Sequence, residues 1–178
     1  MQAARNRNTI TLSLSVIETQ ILLYILQKIA TNYQLKPEDL DPKVASAWYS
    51  TRGCQSAGMS SEETREWLQN LQQYRSAHLQ HIQRWSRRLA ATKSGSGHLP
   101  IKLQDAPILL TVLNDHRLLM AAKYEIGQKE MDAHSLSSLN SLPARTQTAL
   151  AEIHFLACMI EQILACLPEN PAAWTESL

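Results

Sequence analysis

A single phenylalanine, five glycines and three cysteines are all that this sequence of 178 residues holds of those types. Each scarcity closes off a class of protein. Cys54, Cys158 and Cys166 are odd in number and unsuited to a disulfide framework, which points to a reducing compartment, the cytoplasm. So little glycine argues against a β-sandwich. Long apolar runs are missing too. The longest, Ile21–Leu26, is far short of the ~20 residues of a membrane span, so no membrane association is expected. Arg5 and Arg7 are followed by no continuous apolar stretch, because Glu18 and Gln20 interrupt it, and no signal peptide is expected. There is no excess charge, the formal net being +1, so no global field calls for a nucleic acid or an acidic partner. Glycine-rich phosphate loops, G-x-S-x-G and dinucleotide fingerprints are all missing, and no cofactor is expected.

What is present is 44% hydrophobic and 19% charged residues. These proportions fit one helical globule over residues 1–178, large enough to bury a core without metal or disulfide support. The predicted fold class is all-α, a bundle of about four main helices with one or two short β-strands. Its centre is Asp105–Gly127. Asp105 is placed to N-cap, Pro107 to occupy the first turn and Gly127 to form a left-handed C-cap. Wound at 100° per residue, Ile108, Leu109, Val112, Leu113, Leu119, Met120, Tyr124 and Ile126 share one broad arc, and Leu110 and Leu118 project from the other side. A helix apolar on nearly all sides is one surrounded by others.

Around it, Thr9–Leu14 alternates as a short strand and Leu99, Ile101 and Leu103 as a second that can pair with it. Ser15 and Glu18 form a capping box that opens a helix through about Asn32. Asp41-Pro42 starts a short helix over Val44–Tyr49, and Gly53, Cys54 and Gly58 suggest a loop after it. Ser60 and Glu63 open a helix to about Ala91 with a narrow stripe of Trp67, Leu71, Tyr74, His78, Ile82, Trp85 and Leu89. Roughly thirty residues at 1.5 Å each give ~45 Å, so one end is expected to project or to meet a second subunit. Gln128–Leu142 reads as a polar connection with a turn of helix around Leu136–Leu139. A last helix follows Ser141 and Pro143 to about Leu167, with Ala149, Ile153, Leu156, Ile160, Ile163, Leu164 and Leu167 as its main stripe. Its second apolar set, Phe155, Met159 and Cys166, together with the narrow stripe, leads us to expect a homodimer.

The candidate site is Asn114-Asp115-His116-Arg117, charge and imidazole inside an apolar helix. Asp115 and Arg117 lie about 160° apart by the same winding, so each needs a partner on another element. For Arg117, expected to be buried as the organiser of the fold, Glu18 and Glu161 are the candidates. A ligand network or a catalytic pocket around His116, Arg117 and Asp115 is the sharper alternative. A possible nucleic-acid face is Arg84, Arg87 and Arg88, in a segment, Trp67–Gln104, that has no acidic residue at all. The preferred reading of that face is a solvated one, or one met by carboxylates of the same fold. His78-x-x-His81 has half the spacing of a metal site, but no second pair and no Glu-x-x-His accompany it, and no metal is expected. His154 and Cys158 sit at i, i+4, which permits a thiol–imidazole pair, although cysteines in amphipathic helices are mostly packing residues.

Leu113-Asn114-Asp115-His116-Arg117-Leu118, followed by Tyr124-Glu125-Ile126-Gly127, resembles the signature of an uncharacterised bacterial family of domains of unknown function, the DUF-twenty-seventeen type. The order of elements is similar as well. The resemblance implies no activity, cofactor or catalytic residue. That some relatives are encoded beside the Clp protease adaptor implies a regulatory or proteostasis setting. The expected function is that of a non-catalytic cytoplasmic interaction or regulatory protein. The alternatives are a nucleic-acid-binding transcriptional regulator and an enzyme with a polar pocket near His116 and Arg117.

Overall fold

A computed structural model describes residues 1–92, 95–131 and 140–168. Three strands form one antiparallel sheet. Strand β1 (Gln2–Asn6) and β2 (Thr9–Leu14) form a hairpin, and β3 (Gly97–Lys102) adds antiparallel to β2. The expected pairing of β2 with β3 is present, with Ile10 opposite Ile101 and Leu12 opposite Leu99. All four side chains are fully buried, which holds the register, since a one-residue slip would turn the set to solvent. Leu103 does not extend β3; it opens a short 3-10 turn, Leu103–Asp105. Strand β1 gave no signal in the sequence because only Ala3 among its residues is even half-buried. Without a buried face there is no alternation to read.

Helix α1 (Val16–Gln34) carries the expected Ser15–Glu18 capping box. It buries Leu22, Ile25, Leu26, Ile29 and Tyr33. Short helices α2 (Pro42–Trp48) and α3 (Arg52–Ser56) follow, the second where a loop was expected. Asp41 caps α2 through the Lys43 N–H, and Val44, Trp48 and Cys54 bury the segment.

The single long helix is replaced by two, α4 (Ser61–Ala77) and α5 (Leu79–Ala90). At 1.5 Å per residue they are ~25 and ~18 Å long, so no ~45 Å rod projects from the fold. The break is at His78, whose N–H turns back to the Arg75 carbonyl at 3.0 Å. The cause lies in packing: Arg75 and His78 are both drawn inward, and the His78 ring sits 4.4 Å from Tyr74 and 6.5 Å from Tyr33. Of the narrow stripe, Trp67 and Tyr74 are exposed, while His78, Ile82, Trp85 and Leu89 are buried.

Helix α6 (Ala106–Lys123) is the central element, packed against α1, α2 and a last helix, α8 (Ala144–Leu164). Leu109, Val112 and Leu113 are fully buried on it. Both expected caps are corrected. The Asp105 side chain makes no capping bond, because Arg84 holds its carboxylate. The left-handed residue after the helix is Glu125, with φ 53°, rather than Gly127. Ile126 N–H closes the turn onto the Ala121 carbonyl at 2.9 Å, and burial of the Ile126 side chain repays the strained position. A single turn, α7 (Gln128–Met131), follows. The turn expected around Leu136–Leu139 lies outside the described residues. On α8, Met159 belongs to the core, which removes it from the second apolar set; Phe155 and, just past the helix end, Cys166 are half-buried. No helix among the described residues is long and apolar enough to cross a membrane.

Candidate functional site

Two polar constellations grow from neighbouring residues of α6, and they point in different directions. Asp115 and Arg75, each 6% exposed, form the first. Arg75 donates from Nε to Asp115 Oδ2 at 2.9 Å, and the Tyr33 hydroxyl donates to the same oxygen at 2.7 Å. Trp48 Nε1 donates to the Asp115 carbonyl at 3.0 Å, and the guanidinium lies over the Trp48 and Tyr49 rings at 5.1 and 4.9 Å. Burial and the Asp115 carboxylate push the Tyr33 phenol far up, so it remains a donor. The Asp115 carboxylate thus ties α1 and α4 to α6, and its backbone carbonyl ties α2.

His116 forms the second. It is fully buried, and its Nε2 lies 2.9 Å from Glu152 Oε2 on α8. Its Nδ1 is buried without a hydrogen-bond partner. Above this pair the three helices leave a pocket of about 160 Å³. Tyr24 and Lys28 come from α1, Lys123 from the end of α6, Tyr124 from just beyond it, and Arg145 and Thr148 from α8. Among the described residues none of Lys28, Lys123 and Arg145 has a carboxylate within salt-bridge distance, and the one carboxylate in the lining, Glu152, is taken by His116. The Lys28 ammonium lies 5.1 Å from the centroid of the Tyr24 ring, and the neighbouring Tyr24 phenol outweighs burial and raises the Lys28 pKa. Three cations converging on a concave surface with apolar walls, Leu119 and Met120, can hold an anion.

The four residues singled out on α6 are therefore not one site. Asn114 is exposed, Asp115 and His116 serve different clusters, and Arg117 is half-buried with its Nε unpartnered. The expectation that Arg117 organises the fold through Glu18 or Glu161 is overturned. Glu18 accepts from the Met1 amine at 2.8 Å and from Ser15 N–H, and Glu161 is exposed. That organising role belongs to Arg75. In the basic face, Arg84 donates to Asp105 at 2.6 Å and meets His81 Nδ1 at 2.9 Å, so a carboxylate of the same fold already holds it. Arg87 and Arg88 stay on the surface, Arg87 bonding the Gln83 carbonyl at 3.3 Å. His78 packs between tyrosines while His81 faces Asp105 at 3.7 Å. His154 and Cys158 both lie exposed on α8.

Sequence reasoning missed Arg75, Tyr33 and Glu152, together with the whole cationic lining. A signal was there on each helix separately: Tyr24 and Lys28 at i, i+4; His116, Met120 and Lys123 at i, i+4, i+7; Arg145, Thr148 and Glu152 at i, i+3, i+7. Each set is one helical face, but nothing in the sequence says that the three faces converge.

The fold and its clusters define a predominantly helical protein with a small antiparallel sheet, in which a buried ion pair joins α4 to the central helix. The chain belongs to the family described as Domain of unknown function (DUF2017), whose model matches residues 1–167. Neither a curated protein nor a solved structure matches it.

Proposed function

We propose that this is a non-catalytic, cytoplasmic regulatory protein of bacteria that works by binding a small anionic ligand in the pocket between α1, α6 and α8. The observation that carries this reading is the set of three cations, Lys28, Lys123 and Arg145, around one pocket without carboxylate partners among the described residues. Cations at solvent-exposed positions normally scatter; convergence on a concavity is what anion recognition requires. Catalysis is disfavoured because the imidazole is fully buried and its Nε2 is engaged by Glu152. Asp115 and Arg117, the other members of the enzyme alternative, line no part of the pocket. The nucleic-acid alternative is weakened by Arg84, whose pairing with Asp105 takes one of its three cations. A homodimer accords with the exposed Val16 and Ile17 at the start of α1.

The test is two-dimensional amide NMR with inorganic phosphate and with acetate, each against chloride at matched ionic strength. Saturable shifts should cluster at Lys28, Lys123, Tyr124 and Arg145, and should disappear in Lys28→Gln/Arg145→Gln. Identical titrations of the wild-type protein and this variant would refute the reading.

A further inference from the structure

The anion pocket does not end in solvent on every side. A second concavity, about 340 Å³, adjoins it, lined by Gln20, Ile21, Tyr24, Thr148, Ala151, Glu152 and Phe155. Tyr24, Thr148 and Glu152 line both. The two helices that flank this cleft run in opposite directions along it. Ascending α1 from Ile21 through Tyr24 to Lys28 matches descending α8 from Phe155 through Ala151 and Thr148 to Arg145. Both helices therefore place their apolar residues at one end and their cations at the other. Seven residues from Ile21 to Lys28, at 1.5 Å each, set the two ends ~10 Å apart.

We infer that the ligand is amphipathic: an anionic head held by Lys28, Lys123 and Arg145, with an apolar chain laid along Ile21, Tyr24, Ala151 and Phe155. This rests on the anion-binding reading above and adds the tail to it. The size of the head pocket admits one carboxylate or phosphate group and little more. The charge follows from the lining, since the only carboxylate there among the described residues is occupied by His116. The apolar chain follows from the second cavity, whose floor offers few groups for a polar extension to bond. Two cavities of these volumes, head and tail, make a site of small-molecule size, within the range of about 300–1,000 Å³ usual for such ligands. A purely polar anion would leave the Ile21–Phe155 end wet, and a neutral lipid would leave the three cations unanswered.

The experiment is a calorimetric or NMR titration with acetate, butyrate, hexanoate and octanoate, with octyl phosphate to compare heads and 1-octanol as the uncharged control. Affinity is expected to rise about two- to fourfold for each methylene added, and 1-octanol to bind at least tenfold more weakly than octanoate. The carboxylate and phosphate arms decide which head is preferred. Arg145→Gln should weaken every anion in the series by a similar factor. Ala151→Glu, at an exposed helical position that leaves the core intact, should abolish the gain from chain length. Anions that bind with no dependence on chain length would overturn the amphipathic ligand and leave the anion site standing. An alcohol that binds as well as octanoate would overturn it as well. No saturable binding of any anion at millimolar concentration would overturn both readings.

Discussion

Replacing Asp115 with alanine is the most informative single change, because α1 and α4 both lean on that carboxylate. It leaves the buried Arg75 guanidinium without a counter-charge and the Tyr33 hydroxyl without its acceptor. Breaking one side of a buried ion pair costs about 3–5 kcal/mol, since the surviving charge is stranded. The lost acceptor of Tyr33 is worth about 1–3 kcal/mol more, overlapping rather than adding. Against a domain stability of about 5–15 kcal/mol, Asp115→Ala should be close to unfolding. Arg75→Met keeps most of the contact with the Trp48 and Tyr49 rings and strands the carboxylate instead, so it should cost about 3 kcal/mol. The double variant Arg75→Met/Asp115→Leu replaces the pair with apolar groups and should be milder than either single change, within about 2 kcal/mol of wild type. Arg117→Ala, which breaks no ion pair among the described residues, should cost no more than about 1 kcal/mol. Urea melts with a common m-value measure all four. If the double variant is as unstable as the sum of the singles, Asp115 and Arg75 do not act as a pair and the lock is not what holds α4 to α6.

Burial, foremost, depresses the pKa of His78, with the field of His81 adding to it. Between the lowered folded value and the ordinary one near 6.5 the unfolded chain binds more protons. Stability should therefore fall as the pH drops below about 6.5, and His78→Leu should flatten that slope in urea melts at pH 7.5 and 5.5. If wild type and variant lose stability in parallel, another group is responsible. Gly97 of β3 passes so close to α1 that an added Cβ meets Thr19 Oγ1 at 2.7 Å and Cγ2 at 3.1 Å. Gly97→Ala should cost about 1–3 kcal/mol, and Thr19→Ala in the same chain should restore part of it. An equal loss with and without the second change would place the strain elsewhere. Self-association through Val16 and Ile17 should appear in sedimentation equilibrium at tens of micromolar and be lost in Ile17→Glu, a site 68% exposed whose substitution leaves the core untouched. A monomer at all concentrations ends the dimer reading.

The parts of the fold that the sequence reveals are those where one side of an element meets the core. Ser15–Glu18 and Ser60–Glu63 mark two helix starts correctly because a capping box is local. Alternation in Ile10, Leu12 and Leu14 reveals β2, and the mostly apolar Ala106–Lys123 reveals the central helix. What fails is whatever depends on a distant partner. The stripe from Trp67 to Leu89 has unbroken helical spacing, and only the inward pull of Asp115 on Arg75 and the ring packing at His78 explain the break. The charges on α6 drew notice because charge in an apolar helix needs an explanation. But helical winding cannot tell a half-exposed Arg117 from a buried Asp115 when the partners lie 40 and 82 positions away. The cationic lining was harder still. Lys28, Lys123 and Arg145 are ordinary surface residues on their own helices, and their proximity exists only once α1, α6 and α8 have packed.

The pairing of β2 with β3 also sets a timetable for synthesis. Ser13 and His98 face each other across the sheet from positions 85 residues apart. At a ribosomal rate of about 5–20 residues per second, roughly 4–17 s pass between the emergence of the two strands. In that interval Ile10, Leu12 and Leu14 have only β1 beside them, and a lone hairpin is marginal in water. Closing so long a loop costs little more than closing one half its length, so the delay is a matter of time rather than of final stability. During those seconds the nascent chain presents a short apolar strand edge, and whatever protects it must act before Gly97–Lys102 has left the ribosome.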